Sequence, residues 1–224
     1  MELREYMSVR RAYNLVRQST ASAQRLTFEE FAILCRLDMA EEPIKTSEIA
    51  DYQGALRPTM THRTNHLASL GYIDRGEGEN DRRNIVCTIS EEGHEYVRDL
   101  SVLTRAQIPL GQPLARTAPE RLCKYVDAMG SVYCTAGELV LLELYSMDKH
   151  SCTITMLVDH LGLLQPTVSM SVSSLIEHGL AERSALKGGS SRSTAIKLTN
   201  KGVEAVNELL KKINGIVVRR KARS

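Results

Sequence analysis

Between Arg57 and Arg83 the sequence gathers side chains suited to hydrogen bonding and to charge, and none arranged for bond-breaking. Arg57, Thr59, Thr61, His62, Arg63 and Asn65 fall within one short stretch. At helical spacing Met60, Thr64 and Leu67 share one face, while Thr59, Thr61, His62, Asn65 and His66 lie mainly on the other. Threonine and asparagine can hydrogen-bond base edges or phosphates, and Arg57, just ahead of the helix, can reach a phosphate. Arg63 borders the apolar face, where it can bury its stem and still extend its head to a phosphate. Asp81, Arg82 and Arg83 follow on a turn rich in Gly and charge. An arginine on a hairpin tip meets the negative potential of a narrow minor groove, and a carboxylate two residues away can hold its guanidinium in one pose. His62 and His66 form an i, i+4 pair able to chelate a metal, but no Glu or Cys is spaced to complete a site, so neither metal nor cofactor is expected.

The elements that must position these groups can be read in order. Thr46–Asp51 is a short amphipathic segment, followed by a loop at Gly54 and a second helix from Pro58 to Leu70 closed by Gly71. An apolar strand, Tyr72–Ile73, a polar loop from Gly76 to Asn80 and an alternating strand, Ile85–Ile89, come next. Helix, turn, helix and hairpin is the order of a winged helix-turn-helix, in which the second helix enters a major groove and the hairpin tip reaches the neighbouring backbone or minor groove. The run from Asp81 to Gly93 resembles the wing of the MarR family of bacterial transcription regulators, whose pattern is Asp-x-Arg, an alternating strand, Leu-Thr, two residues and Gly. Ile89-Ser90 stand where Leu-Thr is usual. The resemblance implies that Arg83 inserts into the minor groove and that Asp81 orients it.

Outside this head the chain is helical, and it repeats. Tyr6, Val9, Tyr13 and Val16 line an amphipathic helix whose other side carries Arg4, Arg10, Arg11 and Arg17. Thr27-Phe28-Glu29-Glu30 reads as a capping box, and Tyr96, Leu100 and Leu103 as the stripe of a helix ending near Gln107. Residues 108–118 hold Pro109, Gly111 and Pro113 without periodicity and read as a linker between repeats at 1–107 and 119–224. Beyond it, Leu122, Val126, Met129 and Tyr133 line a helix, and Thr135-Ala136-Gly137-Glu138 is a second capping box. At a constant offset Thr27 meets Thr135, Glu30 meets Glu138, Gly54 meets Gly162, Pro58-Thr59 meets Pro166-Thr167 and Gly71 meets Gly179. With one residue inserted, Ile89-Ser90-x-x-Gly93 meets Leu198-Thr199-x-x-Gly202, the mark of a tandem duplication. The last helix carries a seam of Val203, Val206, Leu210, Ile213 and Val217.

The second recognition helix differs. Thr167, Ser169, Met170, Ser173 and Ser174 occupy its outer frame, Gln165 stands for Arg57, and no cation follows until Arg183. Its wing keeps Lys187 and Arg192, but Ser190 replaces the acidic partner.

The expected fold is therefore mainly α with small β wings: two tandem winged helix-turn-helix domains forming a pseudo-dimer, with the N- and C-terminal helices in the interface. Such a chain is similar to the two-repeat Sar-type regulators. The resemblance implies double-stranded DNA as partner, transcription regulation with repression by occlusion the commoner mode, a cytoplasmic location, and a monomeric pseudo-dimer or homodimer. Many relatives release DNA when a small aromatic or amphipathic effector binds. A net charge of +2 means that any basic footprint is local. No apolar run reaches membrane-spanning length, and Met1–Tyr6 does not read as a signal peptide. The five cysteines are scattered and read as small buried hydrophobes, with an oxidant-sensing role for Cys35, Cys123 or Cys134 the alternative. With no phosphate-binding Gly-rich loop of Walker type, nucleophile elbow or HExxH, an enzyme is not expected. The rivals are a tandem winged-helix adaptor that binds protein, as in chromosome condensation, and a plasmid replication initiator. The Asp81/Arg83 pair separates the adaptor from the DNA binder. Arg83→Ala is expected to weaken DNA binding by about 1–3 kcal/mol, more than Arg192→Ala, in fluorescence anisotropy at one fixed salt concentration.

Overall fold

The computed structural model describes residues 1–78, 84–185 and 194–218. The chain divides into two compact units, one of Val16–Tyr133 with the residues from Ile216 onward, the other of Met1–Leu15 with Cys134–Gly215. None of the described helices is long and apolar enough to cross a membrane.

The first of these units is built around α2 (Phe28–Asp38). Thr27 caps it: the hydroxyl accepts from the Glu30 backbone N–H at 3.2 Å, and Glu30 Oε2 accepts from the Thr27 N–H at 2.7 Å, the reciprocal box expected from the sequence. Phe31 to Cys35 are buried without interruption, because α2 is covered on several sides by its neighbours. The order continues β1 (Ile44–Lys45), α3 (Thr46–Gln53), α4 (Arg57–Ser69), β2 (Ile73–Glu77), β3 (Ile85–Ile89) and α5 (Glu91–Ala106), and α6 (Pro119–Met129) closes the unit against α2 and α5. The sheet is antiparallel in the order β1-β3-β2, with Ile73 opposite Ile89 and Arg75 opposite Cys87. β1 had not been anticipated as a strand, and β2 runs well past Ile73 because its polar residues still pair with β3. Gly54 ends α3 at φ +59°, the left-handed turn that redirects the chain into α4.

The other unit repeats this order. α7 (Ala136–Ser146) carries the Thr135/Glu138 capping box, and β4 (Ser151–Cys152), α8 (Ile154–Leu161), α9 (Gln165–Glu177), β5 (Ala181–Ala185), β6 (Thr194–Leu198) and α10 (Asn200–Asn214) follow, with sheet order β4-β6-β5. Its additional helix is the first part of α1 (Leu3–Ser19), which buries Tyr6, Val9 and Tyr13. The polar side of α1 is not simply solvated. Arg10 is buried and donates to the Cys134 carbonyl at 3.2 Å, Arg11 to Asp159 at 3.2 Å and Asn14 to Leu161 at 2.9 Å. The packing units thus cut across the sequence repeats, since the first part of α1 lies with the head of residues 136–214 and α6 with the head of residues 28–106.

Three stripes differ from expectation. On α5 the buried residues are Gly93, Val97, Leu100, Ser101 and Thr104, and Leu103 is 52% exposed, because hydroxyl residues occupy part of the inward face. Tyr133 lies beyond the end of α6 and is 54% exposed. On α10 the buried line is Val206, Leu209 and Ile213, facing α7, and Val217 lies outside the helix.

The Ser/Thr-x-x-Gly motif has a packing reason that recurs in both units. Ser90 accepts from the Gly93 N–H at 3.0 Å and donates to the Gly71 carbonyl at 2.6 Å. A Cβ on Gly93 would run into the Tyr72 carbonyl, so the helix start can approach β2 only at a bare Cα. Thr199 and Gly202 repeat this, with Thr199 donating to Gly179 at 2.8 Å and Gly202 lying against the Leu180 carbonyl. Gly93→Ala and Gly202→Ala are each expected to destabilise by about 2 kcal/mol or more. Ser90→Ala is expected to cost about 1 kcal/mol; urea titration of the three variants measures the order.

Candidate nucleic-acid interface

α4 separates into two faces as its spacing requires. Met60, Thr64 and Leu67 are buried, and Arg57, Thr59, Thr61, His62 and Asn65 are exposed. Thr64 satisfies its hydroxyl inside the helix by donating to the Met60 carbonyl at 3.0 Å, which lets a polar residue sit in the core. The outer face therefore offers two hydroxyls, an imidazole and an amide in a row, with a guanidinium at the helix start.

Two residues of α4 are committed elsewhere. His66 does not lie free beside His62: its Nδ1 is 2.7 Å from Glu30 Oε1, and Glu30 is buried. Since the other oxygen of Glu30 closes the α2 cap, one carboxylate joins α4 to the central helix α2. Arg63 is half-buried and donates from Nη1 to Gln53 Oε1 at 2.9 Å, while Gln53 is buried and donates to the Glu29 carbonyl at 3.0 Å. Its guanidinium thus ties α4 to α3 and α2.

Arg75 was not singled out from the sequence. It sits on β2 and donates through Nη1 to Asn65 Oδ1. The signal was present: on a strand Arg75 shares the face of buried Ile73. The polar run from Asp74 onward hid the strand's continuation. Leu56, exposed at the N-cap of α4, was also passed over, and Leu164 stands exposed at the matching place before α9.

The outer face of α9 is weaker in charge. Val168, Val172 and Leu175 are buried; Thr167 and Ser169 are half-buried; Ser173 and Ser174 are exposed, and Met170 is 74% exposed. The nearest described cation along the chain is Arg183 on β5, which is exposed. The wing residues Asp81, Arg82, Arg83, Lys187 and Arg192 lie outside the described residues.

All five cysteines are free and buried. Burial pushes the thiols of Cys35, Cys87, Cys134 and Cys152 up, that of Cys152 to about 11, so these four are protonated small hydrophobes at neutral pH.

A helix, turn and helix followed by an antiparallel β-ribbon defines the class of winged helix-turn-helix heads. Comparison with known proteins narrows it for one stretch: the model of the MarR family matches residues 26–85, so this stretch is a MarR family domain. The chain is 32% identical over 85 residues to the transcriptional repressor MprA of Escherichia coli K12, covering 38% of this chain and 48% of that protein, and it matches the MprA of E. coli O157:H7 to the same extent. It thus spans about half the length of the curated relatives it matches. Among solved structures, the YusO protein from Bacillus subtilis is similar at 20% identity and a TM-score of 0.36, over 45% of this chain and 67% of that one.

The different commitments of Arg57 and Arg63 give separable expectations. Arg57→Ala should weaken DNA binding evenly across sequences and reduce the log–log salt slope by about 1, as loss of a phosphate contact does. Arg63→Ala, which strands buried Gln53, should lower the urea midpoint. Salt-series anisotropy and urea titration of both variants distinguish the two roles.

Proposed function

We propose that this chain is a sequence-specific DNA-binding transcription regulator, acting as a repressor, in which the head of residues 26–85 is the principal reader. The observation that carries this reading is the outer face of α4: Arg57, Thr59, Thr61, His62 and Asn65 stand exposed along one side of a helix whose other side is core, inside a MarR family domain. Those side chains match what phosphate positioning and base-edge reading require. The named function of the matched MprA proteins, transcriptional repression, points the same way. In this reading Arg83, oriented by Asp81, enters the minor groove, and Arg82 adds a phosphate contact.

The second head, through Thr167, Ser169, Met170, Ser173, Lys187 and Arg192, makes a weaker contact with the same DNA. Joining two heads in one chain presents the second at the effective concentration set by the connection. Because the two outer faces differ, the preferred site is an imperfect inverted repeat or no palindrome, with the half under residues 57–83 the more constrained.

Selection of bound fragments from the source genome, followed by anisotropy across a salt series, tests the proposal. Counterion release by Arg57, Arg63, Arg82, Arg83, Lys187 and Arg192, as far as each is free to reach a phosphate, should give a log–log slope on the order of −4 to −6. A slope near zero, with no enriched fragment, would favour a protein-binding adaptor.

A further inference from the structure

We infer that Arg75 is a positioning residue that sets what Asn65 reads, so that the base beneath Asn65 is guanine in preference to adenine. The inference rests on the DNA-binding reading above and deepens it. A guanidinium has donors and no acceptor, so the Asn65 atom facing Arg75 is its carbonyl oxygen. The Nδ2 donors of Asn65 are thereby turned away from Arg75, on an exposed side chain of the outer face of α4.

Asparagine selects adenine by using both ends at once, donating to N7 and accepting from the N6 amino group. In this head the accepting end is already engaged by a cation. An adenine amino group would have to bring a second donor to the same oxygen, beside a positive charge. Guanine presents two acceptors, N7 and O6, on that edge. It can take the free amide donors and is favoured by the nearby guanidinium.

Arg75 is held in place for this role. It is half-buried on β2 opposite Cys87, its guanidinium interacts with the Cys87 thiol, and its terminal nitrogen reaches Asn65. The matching pair in the other repeat lacks the device. Ser173 has no amide to orient, and Arg183 stands exposed. The preference should accordingly belong to one half-site.

The test uses the full chain and its best selected fragment, with every single base-pair change in the half-site of the first head. The unsubstituted chain is expected to prefer guanine over adenine at one pair by about tenfold, the discrimination of one good base contact. Arg75→Met keeps the stem and removes the donors. It should lose that preference or shift it toward adenine by about tenfold, at that pair alone. Arg75→Lys, which retains a donor and the charge, should keep it, and Asn65→Ala should flatten it. An unchanged base profile in Arg75→Met, with affinity lower on all sequences alike, would overturn the inference and leave Arg75 as a prop or a phosphate contact. Adenine preferred by the unsubstituted chain at the pair that Asn65→Ala flattens would also overturn it. Failure of the unsubstituted chain to bind any fragment overturns the DNA-binding reading itself, and the inference with it. Circular dichroism melts of the three variants, compared with the unsubstituted chain, show that each is folded before binding is read; if Arg75→Met unfolds, Arg75→Leu, which also lacks a donor, replaces it, with the same expected and overturning outcomes.

Discussion

The carboxylate of Glu30 joins two demands that the first head must meet together. A buried carboxylate is tolerated only when its lone pairs are filled, and here one oxygen closes the cap of α2 while the other meets His66 on α4. α2, nearly all of whose residues are buried, and α4, which has an exposed face, are thereby held to one another by a short polar link. Around it, Arg63 and Gln53 brace α4 against α3 and α2, and Arg75 ties its far end to β2. A row of exposed polar side chains keeps its spacing only if its helix keeps one pose, since misplacement of a polar group by an ångström loses its hydrogen bond.

The other head keeps the skeleton of this arrangement and loses its polar links. Its capping box is intact, its Ser/Thr-x-x-Gly turn is intact, and its inward face is apolar. Yet Ser174 stands where His66 stands, Ser171 where Arg63 stands, Leu161 where Gln53 stands, and Ser173 where Asn65 stands. Glu138 is left to serve the cap without a partner on α9 like His66. What the two heads share is what backbone geometry demands: hydroxyl caps, a left-handed glycine after the first helix and a bare Cα where a helix start meets a strand. What they do not share is what orients side chains at the surface.

Much of this could be read from the residues because it depends on local chemistry. Thr-x-x-Glu closes a box wherever a helix begins, Gly54 and Gly162 adopt a positive φ that other residues resist, and Met60, Thr64 and Leu67 fall on one face by the helical period. The errors arose where burial or pairing came from elsewhere in the chain. The apolar side chain of Leu103 predicts an inward position, but Ser101 and Thr104 take that side of α5. β2 was cut short because a polar strand looks like a loop until its partner is known, and Arg75 was lost with it.

By itself, the sequence determined the order of the helices, their caps and stops and most of the outward residues of α4, all of which follow from spacing within a few residues. Only the tertiary structure decided which helix completes which core. The stripes of α1 and α6 state that one face of each must be buried, and they are silent about the surface that buries it. That choice places the first part of α1 with Cys134–Gly215 and α6 with α2 and α5, and it turns Arg10 and Arg11 into donors for carbonyls far away in sequence. The same limit applies at the outer face. Asn65 and Arg75 are each legible as polar residues, but their hydrogen bond depends on the packing of a helix against a strand, which no spacing rule contains.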